Sequence, residues 1–120
     1  MIADRGAAPL GEIEYAELLA RVHATVAGTV PPGSRVLFVS KGDPALLDQP
    51  SLTAAHFPQS SAGTYAGHHP RDSAEATMQL EQLRREGAEY LVIPATASWW
   101  LDFYERFAKH LDHHLRQFGA

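Results

Sequence analysis

Cysteine is absent from the 120 residues. That removes a disulfide framework, a thiolate zinc site and a cysteine nucleophile together. Positive charge is scarce too. Lys and Arg number 10 against 14 Asp and Glu, for a net charge of −4, whereas a nucleic-acid binder needs a basic face for phosphate. No apolar run approaches the ~20 residues of a membrane span. The N-terminus lacks the basic and apolar regions of a secretion signal. What is present is a globular balance, 45% apolar and 20% charged, in a length that suits one domain with one core. These features lead us to expect a cytoplasmic protein with neither nucleic acid nor membrane as partner.

Residues 1–11 combine Ala, Gly and Pro without periodicity and are expected as a flexible tail, leaving 12–120 as a single domain. A helix is predicted from Glu12 to about Ala27, with Ile13, Ala16, Leu19, Val22 and Val26 as its apolar stripe. Arg35 to Ser40 reads as a strand buried on both faces, and Lys41-Gly42-Asp43-Pro44 as a turn. Leu52 to Phe57 is a short edge strand. From His56 to Asp72 runs the longest irregular segment, and its aromatic and histidine content favours an ordered functional loop over disorder. Asp72-Ser73-Ala74-Glu75 has the form of a capping box. The helix it opens turns Ala76, Leu80 and Leu83 to the core, carries Arg84 and Arg85 at its negative end, and stops at Gly87. Glu89 to Ile93 is the second firm strand, broken by Pro94. Trp99 to Phe118 forms the last predicted helix, with Trp100, Tyr104, Phe107, Leu111, Leu115 and Phe118 on one face. This alternation predicts an α/β fold: a small three-layer Rossmann-like sandwich with a short, mainly parallel sheet flanked by three helices. Three strands make a narrow sheet, which a homodimer or a partner strand would complete.

Parallel strands deliver their carboxyl ends to one edge, where such folds hold ligands. That edge gathers Ser40, Lys41, Gly42 and Asp43 from one strand and Pro94, Thr96, Ser98 and Trp99 from the other. The helix begun at Asp72 starts nearby, and its free N–H groups suit an anion. Over this crevice hangs the loop bearing His56, Gln59, Tyr65 and His69. As chemistry, His56 or His69 would be the general base, with Asp43 or Asp72 orienting it. Lys41, Gln59, Thr96 and Ser98 would hold a ligand, and Tyr65 and Trp99 would offer ring faces to a sugar or base. Simpler roles compete: Asp72 as a helix cap, Asp43 as a turn residue, His56 as a packed histidine. His110 lies one helical turn from His113 and from His114, as a zinc pair would need, but no third ligand joins such a pair; no metal is expected, nor a cofactor.

Familiar motifs are incomplete. Pro32 to Val39 resembles the approach to the first motif of S-adenosylmethionine-dependent methyltransferases, yet Ser40-Lys41-Gly42-Asp43 holds one glycine where a glycine-rich turn belongs. Pro44 stands where an SGNH hydrolase would place its serine. There is no P-loop, no Gly-x-Ser-x-Gly and no dinucleotide fingerprint. A wider resemblance rests on Pro32-Gly33-Ser34-Arg35-Val36-Leu37 with Ser40-Lys41-Gly42-Asp43, on His56-Phe57-Pro58-Gln59, and on Gly63-Thr64-Tyr65-Ala66-Gly67 with His69-Pro70 and Asp72-Ser73. It continues through Tyr90-Leu91-Val92-Ile93-Pro94-Ala95-Thr96 and Trp99-Trp100-Leu101. Together these phrases resemble an uncharacterised α/β module associated with bacterial glycosyltransferase and polysaccharide-biosynthesis proteins. The resemblance spans roughly residues 12 to 115 and implies a further strand after the last helix. It departs at His68-His69, where a single histidine is usual.

The resulting expectation is an accessory or ligand-binding domain of a glycan-assembly protein. Its ligand would be a sugar or sugar phosphate, and its neighbour a fused or associated glycosyltransferase domain. Two alternatives stand beside it: a small stand-alone enzyme using a loop His/Asp pair as general base, and a purely structural interaction module.

Overall fold

Residues along the central strands alternate between two faces, and each face has its own core. The computed structural model describes residues 2–3, 11–115 and 118–119. Among them five parallel strands form one sheet: β1 (Ile2–Ala3), β2 (Arg35–Phe38), β3 (Thr53–His56), β4 (Tyr90–Ile93) and β5 (Phe118–Gly119), in the order β3-β2-β4-β1-β5. Phe38 pairs with His56 on one side and Val92 on the other. Val36, Phe38 and Val92 pack against helix α1 (Glu12–Thr29) and the short 3₁₀ turn Pro44–Leu47. Leu37, Val39, Leu91 and Ile93 pack on the opposite face against α2 (Ser73–Arg85), α3 (Trp100–Phe103) and α4 (Glu105–His114).

Strand order and helix placement agree. The connections from β1 to β2 and from β2 to β3 step one way along the sheet and lie on the α1 face. Those from β3 to β4 and from β4 to β5 step the other way and lie on the α2/α4 face. A single crossover handedness requires this division. The chain therefore leaves β2 and β4 in opposite directions. Their following loops part at the carboxyl edge, the place where open parallel sheets seat ligands.

Several expectations are corrected. Ile2–Ala3 lies within the predicted tail yet pairs with Val92 and Ile93; residues 1 and 4–10 lie outside the described residues. The sheet has five strands among the described residues, because β1 adds two residues beside β4 and β5 two more beside β1. The stripe of α1 is rotated: Leu18, Val22 and Val26 are buried, whereas Ile13 is 75% exposed and Ala16 is also exposed. Ile13 precedes Leu18 by five residues, roughly 140° around the helix, so it cannot share that face. The last helix is two. Tyr104 leaves helical backbone values (φ −98°, ψ 72°) where its buried ring enters the core and its hydroxyl donates to the Pro70 carbonyl. Phe118 belongs to β5, so it is no part of the helical stripe.

The α2 boundaries match their signals. The Asp72 carboxylate accepts the Glu75 N–H at 2.8 Å. The returning half of the capping box reaches Arg71 N at 3.3 Å, one residue before the cap. At the other end Gly87 N–H bonds the Arg84 carbonyl and Ala88 N–H the Leu83 carbonyl, a Schellman closure that needs the positive φ of Gly87 (113°). No helix among the described residues is long and apolar enough to cross a membrane.

Candidate functional site

The turn after β2 supplies the first wall. Asp43 N–H bonds the Ser40 carbonyl at 3.0 Å, closing a turn whose central residues, Lys41 (φ 52°) and Gly42 (φ 83°), are both left-handed. Successive positive φ values define a type I′ turn, for which glycine is apt and lysine is unusual. The Asp43 carboxylate faces back. It accepts Ala45 N–H at 2.9 Å, capping the 3₁₀ turn, and the hydroxyl of Tyr15 from α1. Burial, then the bond to Asp43 and the Asp43 charge, push the Tyr15 phenol far above its ordinary range.

His56 ends β3 beside this turn. Its Nδ1 and the Ser40 Oγ share a hydrogen bond of 2.5 Å, and Ser40 Oγ also accepts the Gly42 N–H at 3.2 Å. Ser40 is 2% exposed. Burial lowers the His56 pKa below the usual histidine value, with the Asp43 charge acting against that shift. Gln59 Nε2 donates to the His56 carbonyl at 2.9 Å.

The irregular segment after β3 is a compact hairpin. Gln59 and Tyr65 pair antiparallel, Ser60 N–H bonds the Thr64 carbonyl at 2.8 Å, and Ala66 N–H bonds the Pro58 carbonyl at 3.2 Å. This brings Tyr65 over the β2 turn. Its ring centre lies 5.9 Å from that of His56, and a Cβ at Gly42 would come within 2.9 Å of Tyr65 Cδ2. Glycine is therefore required at 42 for two reasons, its backbone angle and the close approach of the ring.

A second group, of aromatic rings, forms where the chain enters α3. The His69 ring meets Trp99 edge-on with centres 4.9 Å apart, and Trp99 also contacts Phe103 and Tyr104. Trp100 is fully buried, as the helical pattern requires, while Trp99 is partly exposed. Asp72 caps α2 and lines a groove of about 840 Å³ with Arg71, Met78, Phe103, Tyr104 and Arg106.

The predicted residues thus divide. His56, Asp43, Lys41, Tyr65 and Gln59 gather at the ends of β2 and β3, whereas His69 and Trp99 form the aromatic group and Asp72 serves α2. Thr96 and Ser98 lie in and directly after the 3₁₀ turn Ala95–Ala97 beyond β4, both partly buried. His56 bonds a hydroxyl where a general-base pair would have a carboxylate, and Asp43 is occupied by Tyr15 and Ala45. Two participants lie outside the predicted set. Ser40 stands at the edge with no role assigned by the sequence; its place at the end of a buried apolar run is the available signal. Tyr15 reads in sequence as an ordinary helix residue. His110 bonds Glu81 at 3.0 Å and stacks near His114, and no group of three metal-ligating side chains occurs among the described residues.

No family model, curated protein or solved structure matches this chain.

Proposed function

We propose that this chain is a Rossmann-like ligand-binding accessory domain of a glycan-assembly protein, working in the cytoplasm beside or fused to a glycosyltransferase domain. The ligand, a sugar or sugar phosphate, sits against the β2 turn beneath the 58–66 hairpin. One observation carries the binding half of this reading. His56 is held by a buried serine hydroxyl on one side and a tyrosine ring on the other. A polar side chain locked in this way is preorganised for recognition, because little freedom remains to be lost when a ligand arrives. The glycan half rests on the sequence resemblance, and the Tyr65 ring beside His56 suits the apolar face of a sugar.

The enzyme reading draws on the Asp43 charge near His56 and the depressed His56 pKa, which keeps the imidazole neutral as a base must be. Ser40 itself makes a poor nucleophile: at 2% exposure it is closed to substrate, and its Oγ already accepts a backbone N–H. Ligand-observed NMR with nucleotide sugars, sugar phosphates and short glycans tests the proposal. The parent chain is expected to bind a member of the panel and a folded His56→Ala, Tyr65→Ala double variant to lose it. Binding left intact in that variant would place the ligand elsewhere. Turnover of a bound compound by the parent but not by His56→Ala would favour the enzyme.

A further inference from the structure

Hydrogen-bond accounting at Ser40 determines which nitrogen of His56 carries its proton. A hydroxyl has one proton to give and two lone pairs to receive. Among the described residues Ser40 Oγ has two partners, the Gly42 N–H at 3.2 Å and His56 Nδ1 at 2.5 Å. The backbone N–H can only donate. If Nδ1 were protonated, both partners would donate to Oγ, and the serine proton would be left without an acceptor in a residue 2% exposed. Buried polar groups are seldom left so. With Nδ1 unprotonated, the serine gives its proton to the ring, receives Gly42, and every group is satisfied.

We infer that Ser40 holds His56 in the tautomer with Nδ1 accepting and Nε2 protonated, so that the site presents a fixed N–H donor and selects a ligand oxygen: a hydroxyl, an ether or a phosphate oxygen. This inference rests on the ligand site proposed above and narrows what it binds. Ser40 is a positioning residue, acting through His56. The assignment also bears on the rival chemistry. A general base needs a free lone pair, and in this tautomer the ring's one lone pair points at Ser40. No described residue bonds Nε2, and the ring is partly exposed. Protonating the ring would turn Nδ1 into a donor and strand the serine proton, which acts in the same direction as the burial that depresses the His56 pKa. The neighbouring groups fit the same pattern. Asp43 is held by Tyr15 and by Ala45 N–H, and Tyr65 presents its ring to His56.

Long-range ¹H–¹⁵N correlation spectra of the full ¹⁵N-labelled chain, recorded well above the ordinary histidine pKa, read the tautomer directly. The His56 signals are identified by their loss in His56→Gln. The expected result is an Nδ1 shift in the unprotonated, hydrogen-bonded range and an Nε2 shift in the N–H range. Ser40→Ala is expected to move both toward the averaged values of a free imidazole, and Ser40→Thr to restore them. An Nδ1–H tautomer in the parent would overturn the inference, as would a Ser40→Ala spectrum identical to the parent's. Should Ser40→Ala fail to fold, the parent spectrum decides alone. The two proposals fail separately. An Nε2–H tautomer with no binding across the sugar panel overturns the ligand reading and leaves the tautomer standing; sugar binding with an Nδ1–H tautomer does the reverse.

Discussion

Gly42 has no room for a methyl group. Its φ of 83° disfavours any L side chain, and a Cβ there would press into Tyr65 at 2.9 Å. Gly42→Ala is expected to cost about 1–2 kcal/mol from the backbone alone, read as a lower urea midpoint. An unchanged midpoint would mean that residue 42 does not hold the left-handed backbone of this turn. His56 adds a dependence on pH. Its folded pKa is lowered, so between that value and the ordinary 6.5 the unfolded chain binds the proton and the folded chain does not. Stability from this group is therefore complete above the ordinary histidine value and falls as pH drops through the window beneath it. Unfolding free energies measured from about pH 8 to about pH 5 should show this decline in the parent, and His56→Gln should flatten it. An equal slope in both would remove His56 as the cause. The sequence named His56, Asp43 and Tyr65 because histidine, carboxylate and aromatic types cluster around two turns. It could not pair His56 with Ser40, sixteen residues away, because that contact needs β2 and β3 to lie side by side in register.

Among the elements, α2 is the one whose limits were legible. Its cap, its last-turn arginines and its terminal glycine are local chemistry and act within a few residues of chain. Asp72→Ala should cost about 1 kcal/mol, the usual value of an N-cap, seen in thermal or urea unfolding. It should leave the proposed sugar binding unchanged, since Asp72 lies with α2 and its groove, apart from His56. Loss of binding in that variant would return Asp72 to the ligand site. Arg35 adds a tertiary contribution at the other end, donating to the Glu86 carbonyl and passing so close to Gly87 that a Cβ there would meet its Nη1. Glu81 bonds His110 across to α4 and Arg84 within α2. Burial would raise the Glu81 pKa, but these bonds and charges outweigh it and hold the carboxyl below its usual value. The break at Tyr104 had no local signal, for neither proline nor glycine stands there. It follows from burying Tyr104 against Pro70.

For the whole molecule the unexpected feature is β1. A two-residue strand from the start of the chain lies between β4 and β5 and pairs with both. Deleting residues 1–10 would leave β5 without its neighbour and expose the edge of β4. The truncated chain is expected to lose cooperative thermal unfolding or melt well below the parent, followed by circular dichroism. A melting curve equal to the parent's would show that β1 adds nothing to the sheet. A strand of two residues carries too little periodicity to register against an Ala- and Gly-rich background, so it reads as tail until β4 is in place to receive it.

What the sequence by itself determined is the local physics. Unbroken apolar runs specified β2 and β4, the Asp72 cap and Gly87 bounded α2, and the glycine and proline turns placed the loops at the carboxyl edge. These depend on neighbours a few residues apart, whose preferences are written in the chain. Only the tertiary structure decided the rest: the rotation of α1 on the sheet, the kink at Tyr104, the insertion of β1, and the joining of Tyr15 to Asp43 and Ser40 to His56. Each depends on groups far apart in sequence whose meeting is set by strand register and core packing. That is why the candidate site's residue types were visible beforehand and its hydrogen bonds were not.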